Sequence, residues 1–177
     1  MSKYSYTIEQ DTDAFNPRDE WDNLSTFYGL SNRYNVGGKN DVEYKYSESL
    51  KEQIEQLRKE KAVIVEFSSH AGTCYAVVER SQLKKEYLDY GHSMRKALYY
   101  ARKSAQGEID TFLAWANGEV YGYQVKGENG EILDSCWGFY GEWGYKEAEK
   151  EAKAIIANYE EKDTAEDNTI LARLQFA

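Results

Sequence analysis

The sequence predicts an α+β fold: an antiparallel sheet, including a three-stranded C-terminal meander, packed with about three helices. Two turn signals, Asn117-Gly118 and Glu128-Asn129-Gly130, separate apolar segments of strand length. Other segments repeat their apolar residues at helical spacing, as at Leu50, Ile54 and Leu57. Two β-branched runs, 62–67 and 73–79, have the composition of buried strands.

Taken in order, residues 5–9 alternate Tyr6 and Ile8 with polar neighbours, the period of a half-buried strand. Residues 11–23 hold the only proline and five carboxylates, and their Asp and Asn content favours Asx-turns in an ordered loop anchored by Phe15 and Trp21. Residues 24–30 read as a short strand or a turn of helix, ended by Asn35-Val36-Gly37-Gly38. A helix follows over 46–61, started by Ser47 as cap, with Lys51, Glu52, Glu55 and Lys59 on its solvent face. The strands at 62–67 and 73–79 are joined through Ser68–Gly72. A short helix is expected over 81–87 and a longer one over 93–106, with Met94, Ala97, Leu98 and Ala101 inward and Gly107 as its stop. The meander then takes 112–116, 119–125 and 131–137 as strands. The last helix, 145–159, buries Ala148, Ala152, Ile155, Ile156 and Tyr159. No repeat or linker divides the chain, so one α+β domain over 1–177 is expected, with an acidic tail at 160–177 that docks back or frays.

The charge balance narrows the partners. Thirty-one acidic against 22 basic side chains leave −9, a long-range field that repels phosphates. Direct nucleic-acid binding is therefore not expected, whereas a basic groove on a protein suits this surface. Sixteen tyrosines supply amphipathic contact area for a binding surface or a β-rich core. The N-terminal residues lack an apolar run and nothing approaches a membrane span, so a cytoplasmic protein with no membrane partner is expected. Cys74 and Cys136 form no Cys-x-x-Cys pair and read as reduced thiols.

Few residues suggest chemistry. Asp11, Asp13, Asp19, Glu20 and Asp22 have the oxygen density of a cation site but not the spacing of a calcium loop, so capped turns on a solvated face are the simpler reading. The same carboxylates, with Trp21 as apolar anchor, form the candidate partner-binding surface. His70 is near Cys74, yet Cys74 reads as a core strand residue and no third orienting group is evident. His92 reads as a loop or cap residue. Gly37-Gly38-Lys39 lacks the frame of a phosphate loop. Trp137, Phe139, Tyr140 and Trp143 lie in the densest aromatic run, read first as a strand end whose rings cover the adjoining helix, with Trp137 buried, and second as an exposed aromatic surface. No catalytic residue, metal site or cofactor is assigned.

Several blocks carry a resemblance. Asn16-Pro17-Arg18-Asp19-Glu20-Trp21-Asp22-Asn23-Leu24, followed by Asn32-Arg33-Tyr34-Asn35-Val36-Gly37-Gly38, resembles the opening of a group of small proteins encoded by phages, prophages and plasmids. Gly118-Glu119-Val120-Tyr121-Gly122-Tyr123 and Asp134-Ser135-Cys136-Trp137-Gly138-Phe139-Tyr140-Gly141 are similar to the group's two most recognisable blocks, and Lys84-Lys85-Glu86-Tyr87 to its Lys-Glu-Tyr region. The likeness spans most of the chain up to about Tyr159. It departs at Ser68–Gly72, where the group usually carries a longer loop rich in Ser, Cys, Pro and Trp. The resemblance implies a mobile-element origin. With no catalytic set legible, the expected function is stoichiometric inhibition of a host defence protein, a CRISPR effector or a restriction nuclease. The alternatives are a small enzyme or ligand-binding protein that uses the acidic-loop carboxylates, with or without a divalent cation, and a phage accessory factor.

Overall fold

The computed structural model describes residues 3–30, 42–43, 47–69 and 72–175, and its class is α+β as expected. Seven strands and five helices are present among them: β1 (Ser5–Gln10), α1 (Pro17–Glu20), β2 (Thr26–Leu30), β3 (Val42–Glu43), α2 (Ser47–Lys59), β4 (Val63–Ser69), β5 (Gly72–Val78), α3 (Arg80–Leu83), α4 (Met94–Ala116), β6 (Val120–Lys126), β7 (Ile132–Tyr140) and α5 (Gly141–Gln175). They fall into two units, one of residues 1–14 and 118–177, the other of residues 15–117.

The second unit is built on a sheet ordered β3-β2-β5-β4, antiparallel except where two-residue β3 joins β2 in parallel. Strand alternation sends Phe67, Cys74, Ala76 and Val78 to one face, where Ala97, Ala101, Ala105, Ile109 and Phe112 of α4 cover them. Tyr75 and Val77 point to the other face, against Leu50 and Ile54 of α2. Both faces are thus buried, which explains why β4 and β5 read as nearly continuous apolar runs. Phe27, Phe67 and Phe112 meet at ring-centroid separations of 5.0 to 6.4 Å. At Gly29 (φ +88°) a β-carbon would lie 3.1 Å from Leu50 Cδ2 and 3.2 Å from the Thr73 carbonyl, so this position takes only glycine without strain.

One expected strand is a helix. Residues 112–116 form the last turns of α4, which runs 23 residues from its N-cap Ser93. Asn117 has φ −88° and only Gly118 is left-handed, at +71°. Asn-Gly here ends a helix rather than closing a hairpin, and the dipeptide serves both purposes. The buried stripe at Ala101, Ala105, Ile109 and Phe112 runs past Gly107, which is exposed and does not stop the helix. Met94 and Leu98, expected inward, are exposed because α4 buries only its alanine stripe at this end. The short helix expected at 81–87 is one α-turn, α3, continued by a π-turn over Lys84–Leu88.

In the first unit β1 takes the place of the missing meander strand, giving the antiparallel order β1-β6-β7. The reversal at Glu128-Asn129-Gly130 is present: Gly127 N–H donates to the Glu131 carbonyl at 3.0 Å, and Gly130 has φ +82°. Tyr123 and Val125 pack with Tyr6, Ile8 and Phe139 against Ala148, Ala152, Ile155 and Ile156 of α5. That helix spans 35 residues instead of ending at Tyr159. The acidic stretch docks through Asp163, which accepts from Lys3 Nζ at 2.8 Å and Tyr4 Oη at 2.7 Å, while Tyr4 packs on Tyr159. The apolar side chains expected at 170–176 and the segment 35–38 lie outside what is described.

Candidate functional site

The loop after β1 is organised by its Asp and Asn side chains, as its Asx content predicts. Asp11 accepts from Asp13 N–H at 3.3 Å; Asn16 Oδ1 accepts from Arg18 N–H at 3.0 Å and caps α1, with Pro17 in the first turn. Asn23 Nδ2 donates to the Pro17 carbonyl at 3.0 Å and to the Trp21 carbonyl at 2.8 Å, closing the turn after α1. The expected aromatic anchors are not buried: Phe15 is exposed and Trp21 keeps 51% of its surface exposed.

Arg18 is the anchor. Its guanidinium is buried, lies 3.7 Å from the centre of the Phe27 ring, and donates to Glu108 Oε2 at 2.9 Å and to the Ser25 carbonyl at 2.7 Å. Glu108 on α4 also accepts from Leu24 N–H at 2.7 Å, Ser25 N–H at 3.1 Å and the Ser25 hydroxyl. One carboxylate thus satisfies an arginine and the backbone of the segment leading into β2. Sequence reasoning missed the pair because 90 residues separate its members. The only local signal was an acidic residue on the helix between buried Ala101, Ala105 and Ile109.

Above this anchor lies a cleft of about 660 Å³, lined among others by Asp19, Trp21, Asp22, Lys85 and Glu86. Of the candidate partner-binding residues, three line this cleft. Glu20 is exposed at the end of α1 and outside the lining. Asp19 accepts from Asn16 Nδ2 at 3.2 Å. Asp11 and Asp13 belong to the other unit, where Asp11 N–H bonds the Val120 carbonyl at 2.8 Å. Of the set expected as one loop surface, Asp19, Trp21 and Asp22 line one cleft of the second unit, and Asp11 and Asp13 fall in the first unit.

The aromatic run divides as well. Phe139 enters the core of its unit, 6.0 Å from Tyr123, and Tyr140 is half-buried, its phenol pushed up by desolvation and then by Asp11. Trp143 is 74% exposed. Trp137, expected in the core, is 42% exposed. It is paired with Gly122, and an added β-carbon there would fall 2.2 Å from Trp137 Cε3. Alternation puts it on the face opposite Tyr123 and Val125, so α5 does not cover it.

Cys74 is buried, its thiol pushed up by burial, 3.2 Å from Ser69 Oγ, whereas Cys136 is exposed. Both thiols are free. His70 and the Gly37-Gly38-Lys39 segment lie outside the described residues, and His92 lies in the turn before α4, 5.6 Å from the Tyr100 ring. Among the described residues no group of three His, Cys, Asp or Glu could hold a metal, and no helix is long and apolar enough to cross a membrane. No family model, curated protein or solved structure matches the chain.

Proposed function

We propose that this chain is a stoichiometric protein-binding inhibitor of a host defence nuclease, of anti-CRISPR or antirestriction type, acting through the cleft rim of Asp19, Trp21 and Asp22 together with the adjoining exposed Glu20. The observation that supports this most is the pairing of exposed carboxylates with a half-exposed tryptophan on a turn held rigidly from below by Arg18 and Glu108. Such a rim meets the requirements of an interface hot spot: an apolar anchor, surrounding charge and little entropy to lose on binding. A net charge of −9 speeds association with a basic nucleic-acid channel. The resemblance to phage, prophage and plasmid proteins supports the class of target.

The reading is tested by plating a targeted phage on hosts that carry a CRISPR or restriction system and express this chain. Wild type should restore plaques, and the Asp19→Lys/Glu20→Lys variant should lose that effect while changing stability by no more than about 0.5 kcal/mol, as exposed substitutions do. A folded charge-reversal variant that protects phage as well as wild type would remove this rim from the mechanism.

A further inference from the structure

The N-terminal half of α4 has a charge opposite to that of the molecule. From Tyr90 to Gly107 there is no acidic residue, and Arg95, Lys96, Arg102 and Lys103 give this segment +4 in a chain of −9, which leaves −13 for the rest. At 100° per residue these four cations and Tyr99 share the solvent stripe opposite buried Ala97, Ala101 and Ala105. No ion pair or hydrogen bond among the described residues engages the four cationic heads. On α5, by contrast, Lys146, Lys150 and Lys153 each pair with a glutamate one turn away. Arg95 and Lys96 also occupy the first turn of a 23-residue helix, where the macrodipole disfavours cations, and that turn holds no acidic residue. Helix stability therefore does not account for this arrangement.

Aromatic rings are interleaved with the charge. Tyr99 is 62% exposed and Tyr90 78% exposed. Tyr100 is stacked on Tyr87 at 6.2 Å and 22°, and Tyr87 Oη is fixed at 3.2 Å from Ser104 Oγ. Tyr99 meets Tyr100 edge-on at 5.5 Å. A polyanion of any kind would satisfy the cations, but only one with flat, unpaired π-faces would also use the exposed phenol rings.

We propose that this stripe binds single-stranded nucleic acid, its phosphates held by Arg95, Lys96, Arg102 and Lys103 and a base stacked on Tyr99. Its residues are distinct from those of the acidic rim, and the inference does not rest on the proposed inhibition. It limits the expectation drawn from net charge, since screening at about 8–10 Å lets a local stripe act despite a repulsive total.

The test is fluorescence anisotropy of a labelled 20-nucleotide oligo-dT or oligo-U titrated with the full chain. Saturable binding with a Kd on the order of micromolar at 50 mM salt is expected, weakening about 50-fold at 200 mM if roughly four phosphates are engaged. Arg102→Glu/Lys103→Glu should abolish it. Tyr99→Ala should weaken it about 5- to 150-fold, the usual value of one stacked base. Preference for dT or U identifies DNA or RNA as the strand. Absence of binding by the folded wild type at 50 mM salt, equal affinity for a duplex, undiminished binding by the Glu variant, or binding of polyglutamate in place of oligonucleotide would each overturn the proposal.

Discussion

Glu108 neutralises buried Arg18 and accepts from two consecutive backbone N–H groups. Removing one member of such a pair leaves a buried charge without compensation, at a cost of about 3–5 kcal/mol. Glu108→Gln should lower stability by about that amount in urea denaturation. The Arg18→Met/Glu108→Leu double variant should recover part of the loss, since no orphan charge remains. A Glu108→Gln change that costs less than about 1 kcal/mol would show that the pair does not anchor α1 and its turn.

At the scale of elements, β7 and α5 make separate predictions. Trp137 lies over Gly122 on the sheet face that α5 leaves open, so Trp137→Ala should cost about 1–2 kcal/mol rather than the 3–5 kcal/mol of a buried ring. Chemical denaturation distinguishes the two. Along α5 the hydrogen bond and charge of Lys146, Lys153 and Lys3 hold Glu142, Glu149 and Asp163 below their ordinary carboxylate values. A depressed folded pKa stabilises above the unfolded value and loses that effect as pH falls through the folded one, so the contribution of these groups disappears below about pH 4. NMR titration should find Glu149 ionising below an ordinary glutamate, and Lys153→Gln should raise it. The effect on stability is small because each pair is solvated. The elements that were legible in the sequence are those with one dominant signal: the alternation of β1, the spacing of Leu50 and Ile54, the glycine turn before β7. Where a signal has two structural uses, length decided instead. Asn117-Gly118 caps a helix because the apolar stripe of α4 already extends to Phe112, and Gly107 is tolerated because it faces outward.

For the whole molecule, the candidate surface was legible only as composition. Asp19, Trp21 and Asp22 could be chosen from an acidic, aromatic loop, but the split that sends Asp11 and Asp13 to the other unit depends on β1 pairing with β6 from the far end of the chain. The Arg18–Glu108 anchor and the cationic stripe of α4 likewise depend on contacts or faces that only the folded chain defines. Of two units of different sheet topology, the second carries an acidic rim and a basic stripe, and among the described residues no group of three His, Cys, Asp or Glu could hold a metal. On the proposed function, such a molecule inhibits by occupancy. The most direct test of that reading is titration of the purified chain into a DNA-cleavage assay of the defence nuclease whose action it blocks in the plating experiment. Inhibition that reaches completion near a 1:1 molar ratio is the predicted result; full inhibition at a ratio of about 1:100, abolished by a single Asp22→Asn change, would contradict it and place the protein among enzymes.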